Sequence, residues 1–167
     1  MSLSLLTRKA RSFARRSRFE QAWFLPVWLL LGASRFIILF VPFRQLAPHL
    51  GRLTGVAPWL PLLDASDTAR AKQISRVVWL AACYTPWNSN CFPQAVAARF
   101  LLGVYGIPYS LFLGVSRDAS NASLQAHAWV AAGPVKVCGG ESFSQFTVVG
   151  CFVAPALAGV TMQGAEA

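Results

Sequence analysis

The N-terminal part of the chain contains one long apolar stretch behind a basic lead-in. Residues 22–43 contain a single charged residue, Arg35. The stretch is long enough to cross a bilayer, which requires about 20 apolar residues. Pro26 and Gly32 interrupt it, and Pro42 closes it. Three interpretations stay open: a membrane-spanning helix, an amphipathic helix that lies on a membrane, and a buried helical hairpin.

The middle of the chain predicts two helices. Residues 68–82 carry apolar side chains at the spacing of one helix face: Ile74, Val77, Val78 and Ala81. A polar break follows, and Pro93 then fits a first helical turn, where its missing N–H is not needed. This second helix is expected to begin at or next to Cys91 and to end at Gly103 or Gly106.

The last third of the chain alternates short apolar segments with turns. Strands are expected at 109–115, 125–131, 135–137 and 146–153. Turns at this spacing predict an antiparallel meander. Helices followed by a sheet indicate an α+β fold. We therefore divide the chain into a basic and apolar helical N-terminal region (1–67), a core (68–153) and a tail (154–167).

The composition is unusually apolar and basic for a single domain of 167 residues: 55% of the residues are hydrophobic, 13% are charged, and the net charge is +9. An average soluble domain is roughly 45–50% apolar and about 25% charged. Six basic residues precede the apolar stretch: Arg8, Lys9, Arg11, Arg15, Arg16 and Arg18. Such a run binds nucleic acid, anionic lipid or an acidic peptide, or forms a solvated helix face. Nucleic acid is not expected as a partner, because zinc-finger spacing, RNP-like motifs and a Gly-rich phosphate loop are missing.

The four cysteines are Cys83, Cys91, Cys138 and Cys151, and none of them forms a C-x-x-C pair. This pattern argues against a zinc ribbon and against a thioredoxin-type motif, and we expect neither a metal nor a cofactor. The apolar stretch does not resemble a cleavable signal sequence. We therefore expect a cytoplasmic protein with reduced thiols, either soluble or associated with a membrane. All these cysteines except Cys91 are predicted to be packing residues.

Cys91 and His127 are the candidate catalytic pair. A thiol acts as a nucleophile when it is a thiolate, and a helix N-terminus favours that form. The thiol needs a base from elsewhere in the fold. His49 lies in a Pro/Gly-rich connector and is expected to make a surface or capping contact. His127 lies on a predicted strand between two alanines that leave room for a facing helix, which is a papain-like arrangement; the alternative is a core histidine satisfied by a hydrogen bond.

The motifs around this pair resemble a known family. They occur in the order Pro86-Trp87, Asn90-Cys91-Phe92-Pro93-Gln94-Ala95, Gly106-Ile107-Pro108 and Ala126-His127-Ala128-Trp129-Val130. Over residues 70–150 the chain resembles the transglutaminase-like leader peptidases of lasso-peptide biosynthesis, the B2 proteins. The resemblance implies a papain/transglutaminase-like core, in which a catalytic helix packs on an antiparallel sheet. It also implies a cysteine peptidase that removes the leader from a ribosomally made precursor through an acyl-enzyme.

The resemblance also implies partners and a third catalytic residue. The partners are the precursor peptide, a separate leader-recognition protein and a lasso cyclase. Members of the family usually orient the histidine with an aspartate one hairpin later, where this chain has Gly139-Gly140-Glu141. Glu141 is therefore the candidate third member, with a backbone carbonyl group or Gln145 as alternatives.

The sequence leaves the oxyanion donors and the reaction partly open. The backbone N–H of Cys91 is the natural first donor at a helix N-terminus. The side chain of Asn88, Asn90 or Gln94 is a candidate second donor. Two other functions fit the same residues: a transglutaminase-like amidase or acyltransferase that acts on another substrate, and a non-catalytic membrane-associated scaffold.

Overall fold

Helices fill the first part of the described chain and a sheet fills the last part. The computed structural model describes residues 13–57, 59–117, 124–140 and 144–154. The helices are α1 (Arg18–Phe40), α2 (Phe43–Leu46), α3 (Ala65–Cys83) and α4 (Cys91–Val104), with a 3-10 turn at Ala47–His49. The strands are β1 (Arg52–Leu53), β2 (Ser110–Arg117), β3 (Leu124–Ala132), β4 (Val135–Cys138) and β5 (Thr147–Val153). This order confirms the predicted α+β class.

Helix α1 runs without a break through most of the apolar stretch. A capping box starts it: the Ser17 hydroxyl accepts from the Glu20 N–H at 3.2 Å, and the Glu20 carboxylate accepts from the Ser17 N–H at 3.1 Å. Pro26 lies on an exposed side, so water can solvate the Ala22 carbonyl group that the proline leaves without its usual donor. The expected interruption at Pro26 and Gly32 is therefore wrong, and so is the helical hairpin.

One stripe of α1 packs against the rest of the protein, and the opposite side stays uncovered. Val27, Leu31 and Ser34 are buried on the side that faces α3 and α4. Only 17% of the apolar window of the helix is buried. By length and composition α1 is a candidate membrane span, but the core helix of a soluble protein and a signal sequence share these properties.

Helix α3 presents the predicted apolar stripe to the core. All four members of the stripe are fully buried: Ile74, Val77, Val78 and Ala81. The helix begins at Ala65 rather than at residue 68, because the Asp64 carboxylate caps it. This carboxylate accepts from the Asp67 N–H at 2.7 Å and from the Ser66 hydroxyl at 3.0 Å. The same two hydrogen bonds hold the pKa of Asp64 below its ordinary value.

Helix α4 lies close to the sheet because small residues form its inner face. Ala95, Ala97 and Ala98 are fully buried, and they belong to the same core cluster as Ala128 of β3. Small side chains on both elements allow their backbones to approach each other. The helix ends at Val104, close to the predicted end, and Gly106 follows in a left-handed conformation with φ +66°.

The sheet has the strand order β1-β5-β2-β3-β4, and all neighbouring strands are antiparallel. Strands β2, β3 and β4 form the predicted meander, but the meander prediction is wrong for β5, which pairs with β2. Cys151 and Val153 belong to one core cluster and Phe152 belongs to the other. The last four residues of β5 are buried, and β1 and β2 pair with its two edges.

The contact of Gly32 with Trp87 generates a stability prediction. A Cβ atom at Gly32 would lie 2.8 Å from a ring carbon of Trp87, whereas a Cβ at Gly103, on another helix, would meet nothing within 4 Å. Gly103→Ala should stabilise the protein by up to about 1 kcal/mol, which is the helix-propensity gain. Gly32→Ala should destabilise the protein by about 1–3 kcal/mol relative to Gly103→Ala, because the ring has to move. Chemical denaturation measures both; equal unfolding midpoints would contradict the prediction.

Candidate active site

Cys91 is the first residue of helix α4 and is half-buried. Asn90 is the N-cap residue, but its side chain makes no capping hydrogen bond. The positive end of the helix dipole is therefore directed at the residues next to Cys91. The start of the helix at Cys91 agrees with the sequence prediction.

The loop that leads into Cys91 is held by helix α1. The Trp28 and Trp87 rings lie 4.6 Å apart between centroids. The Trp28 indole N–H donates to the Tyr84 carbonyl oxygen at 3.1 Å. The Thr85 hydroxyl lies 3.0 Å from the Trp87 carbonyl oxygen. These contacts fix residues 84–90 and so determine where α4 begins.

His127 lies near the start of β3, and its ring orientation is fixed on several sides. The ring stacks on Phe146 at 4.8 Å and lies nearly parallel to Trp129 at 6.0 Å. Its Nε2 atom lies 3.0 Å from the carbonyl oxygen of Gly139. Because a carbonyl oxygen only accepts, Nε2 carries the proton in this contact. In the neutral ring, Nδ1 is then the nitrogen that can accept a proton.

Gly139 reaches the imidazole because it has no side chain. It adopts φ +89°, and a Cβ atom on it would lie 2.3 Å from the Trp129 Cβ. Only glycine fits this position without displacing β3. Of the groups considered from the sequence for orienting His127, the described residues place a backbone carbonyl group, that of Gly139, beside the imidazole. Glu141 lies outside the described residues, and Gln145 is exposed.

Cys91 and His127 line the same two clefts. The larger cleft has a volume of about 490 Å³ and the smaller one about 260 Å³. Both residues belong to both linings, so the pair lies at the boundary between the clefts. A substrate that fills both clefts therefore has to pass over Cys91 and His127.

The two linings differ in chemistry. Arg76 of α3 and Lys136 of β4 contribute positive charge to the larger cleft. The smaller cleft is apolar; Phe43, Phe92 and Val149 belong to its lining. Apart from Phe92, which lies in the motif around Cys91, these residues could not be identified from the sequence, because they come from separate segments of the chain and share no local motif.

Gln94 is the amide side chain best placed beside Cys91. It lines the larger cleft, and its Nε2 donates to the Ser89 carbonyl oxygen at 2.6 Å. The amide group carries a second hydrogen that this bond does not use. Asn88 and Asn90, the other two candidate donors, are exposed.

The remaining cysteines have different surroundings. Cys138 lines the larger cleft but is buried, and burial raises the pKa of its thiol to about 12. Cys151 is fully buried, and both residues pack as predicted. Cys83 is exposed at the end of α3, so its predicted packing role is wrong. It lies two positions after Ala81, the last member of the buried stripe. Among the described residues, no group of His, Cys, Asp and Glu could hold a metal ion.

His49 is exposed, as expected from its place in a Pro/Gly-rich connector. Its Nδ1 atom lies 3.2 Å from the Gln45 carbonyl oxygen, which is a local contact within the turn. His127 is therefore the histidine that the fold brings to Cys91.

Comparison with known families agrees with this geometry. The family described as the transglutaminase-like superfamily matches residues 37–151. This range is more than two thirds of the chain and includes Cys91, His127 and Gly139. No curated protein and no solved structure gives a significant match.

The Gly139 carbonyl contact generates a paired prediction. Gly139→Ala should displace the carbonyl group from His127, because the new Cβ collides with Trp129. Gly140→Ala is the matched control: Gly140 is also left-handed, with φ +64°, but a Cβ on it would meet nothing within 4 Å. We expect Gly139→Ala to slow iodoacetamide labelling of Cys91 at least roughly tenfold, because the base is no longer oriented. Gly140→Ala should leave the rate nearly unchanged; equal rates in the two variants would contradict the role of this carbonyl group.

The thiol environments generate a labelling prediction. In the folded protein at neutral pH, iodoacetamide should modify Cys91 first and Cys83 next, because Cys83 is exposed but does not line either cleft that contains His127. Cys138 should stay unlabelled up to about pH 10, because its pKa of about 12 keeps it protonated. Peptide mapping by mass spectrometry gives each rate. The prediction fails if Cys91 reacts no faster than Cys83, or if His127→Ala leaves the Cys91 rate unchanged.

Proposed function

Because this chain belongs to the transglutaminase-like superfamily, whose members are typically cysteine-protease-like enzymes, we propose that it is a cysteine peptidase that removes the leader from a ribosomally made lasso-peptide precursor. The observation that carries the proposal is the position of Cys91 and His127 together at the boundary of two clefts. The order of the motifs around this pair supports the choice of substrate.

In the proposed first step, His127 accepts the thiol proton at Nδ1 while the Cys91 sulfur attacks the scissile carbonyl carbon. The Gly139 carbonyl group accepts from Nε2–H at 3.0 Å and keeps the imidazole in the tautomer that this step requires. The N–H of Cys91 at the helix N-terminus and the Gln94 amide are the proposed donors to the developing oxyanion.

In the second step, the imidazolium gives its proton to the leaving nitrogen, and the C–N bond breaks. The leader stays bound to Cys91 as a thioester, and the core peptide leaves with a free amine. Water, deprotonated by His127, then hydrolyses the thioester and releases the leader as a carboxylate. The free amine is the group that a separate lasso cyclase would close into a ring.

An extended peptide suits the two clefts better than a compact small molecule does. The clefts lie on both sides of the pair, so one chain can place residues in each of them while its scissile bond lies at Cys91. The apolar lining of the smaller cleft and the cations of the larger one give the peptide a preferred direction. The proposed enzyme also depends on a separate leader-recognition protein, which would hold the precursor while the scissile bond enters the site.

Incubation with a lasso-peptide precursor and a leader-recognition protein tests this function. The wild-type chain should release a leader with a free carboxylate and a core with a free amine, as mass spectrometry would show. Cys91→Ala should abolish release, and His127→Ala should lower it by about 10²–10⁴-fold, because the general base is lost. Cys83→Ala is the matched control and should retain full activity, since this thiol is exposed and outside both clefts.

Several outcomes would contradict the proposal. Release of the leader by Cys91→Ala would exclude the thiol as the nucleophile. A product in which the leader carries a new amide bond would indicate an acyltransferase instead. Full cleavage by the chain alone would exclude the dependence on a recognition protein. A loss in Glu141→Gln as large as in His127→Ala would assign the third position to Glu141 rather than to the Gly139 carbonyl group.

A further inference from the structure

Helix α1 exposes a row of large apolar side chains on the side that faces away from the protein. Leu25, Leu29, Phe36 and Phe40 are 56–69% exposed, and we call them the exposed stripe. At 100° per residue, these four side chains lie within about 60° of one another around the helix. Soluble proteins rarely leave a row of this kind in water without a partner.

The charges near the exposed stripe are positive. Arg15 and Arg18 are exposed before it, and Arg44 is exposed after it. Arg18 lies at the same angle around the helix as the exposed stripe, because it precedes Phe36 by five full turns. The first 50 residues contain one acid, Glu20, which is buried and occupied by the capping box. The accessible face of α1 thus combines apolar side chains with cations alone.

We propose that the exposed stripe of α1 binds the surface of an anionic lipid bilayer, with the helix lying in the membrane plane. Apolar side chains insert at the level of the lipid headgroups, and the arginines contact the phosphates, as in other interfacial helices. A protein partner fits less well, because protein interfaces combine apolar contacts with hydrogen bonds, and the exposed stripe has no polar side chain.

The contacts of α1 with the rest of the protein favour an in-plane orientation over a spanning one. The Trp23 indole N–H donates to the Tyr105 hydroxyl at 2.7 Å near the start of α1, and the Trp28 indole N–H donates to the Tyr84 carbonyl oxygen at 3.1 Å further along. Trp87 packs against Gly32 one turn later. A helix that crossed the hydrocarbon would have to leave all of these contacts. An in-plane helix can keep these contacts, because the buried Val27, Leu31 and Ser34 face away from the exposed stripe. Gly32 lies about 20° from Leu25 around the helix, so Trp87 packs at the border of the stripe.

Vesicle co-sedimentation of the full chain tests this proposal. The chain should bind phosphatidylcholine vesicles that contain phosphatidylglycerol, and pure phosphatidylcholine should bind roughly thirtyfold more weakly. The double variant Leu29→Gln/Phe36→Gln should lose at least roughly tenfold in binding to the anionic vesicles. Leu62→Gln is the matched control, since Leu62 is 99% exposed but lies outside α1, and it should bind like the wild type.

The same experiment can overturn the proposal. Absence of binding to the anionic vesicles, or equal binding by the double variant, would exclude the exposed stripe as the lipid contact. Cross-linking through position 36 to a second copy of the chain without lipid would assign the stripe to a dimer. Bound protein that resists extraction by alkaline carbonate would exclude the in-plane orientation. Unchanged iodoacetamide labelling of Cys91 in the double variant would show that it is folded, so that its loss of binding reports on the stripe.

Discussion

The packing of Trp87 against Trp28 and Gly32 fixes the start of helix α4, and the position of Cys91 depends on it. The loop 84–90 has few apolar residues of its own, so it cannot order itself through local burial. Helix α1 supplies the missing surface: an aromatic contact at 4.6 Å and a glycine that leaves room for the indole ring. The apolar N-terminal helix is thus part of the framework of the candidate site.

The hydrogen bond from His127 to the Gly139 carbonyl group is the second interaction that holds the candidate site. A carbonyl group stabilises the imidazole ring less strongly than a carboxylate does. Both groups accept from Nε2–H and so select the same imidazole tautomer. A carboxylate also stabilises the imidazolium by its full charge, whereas a carbonyl group offers only a dipole. In the proposed mechanism a dipole therefore stabilises the imidazolium that forms at His127, and the helix N-terminus stabilises the negative charge of the developing oxyanion. The rings of Phe146 and Trp129 beside the imidazole restrict its rotation, which an isolated hydrogen bond to a dipole would not do.

Local features of the fold could be predicted from the sequence, and features that depend on distant contacts could not. The stripe of α3 and the start of α4 at Cys91 follow from spacing and from Pro93. The place of β5 beside β2 does not, because two other strands separate β5 from β2 in the sequence. The same holds for the contact of Gly32 with Trp87, which lies more than fifty residues later in the chain. In the candidate site, Cys91 and His127 could be proposed as a pair from the motifs. The approach of Gly139 to Trp129 and the positions of Arg76 and Lys136 in the larger cleft could be seen only in the structure.

Helix α1 links the proposed membrane contact to the site. Trp28 and Gly32 hold the loop before Cys91 through Trp87, and the exposed stripe, which borders this contact, is the proposed lipid contact. If α1 inserted across a bilayer, Trp28 would lose its contact with Trp87, and an aromatic pair of this kind is worth about 0.5–1.5 kcal/mol in addition to the buried area. The loop would then lose its framework, and Cys91 its fixed position. A spanning α1 would therefore lose contacts that hold the site, whereas an interfacial α1 is compatible with both the lipid contact and the chemistry.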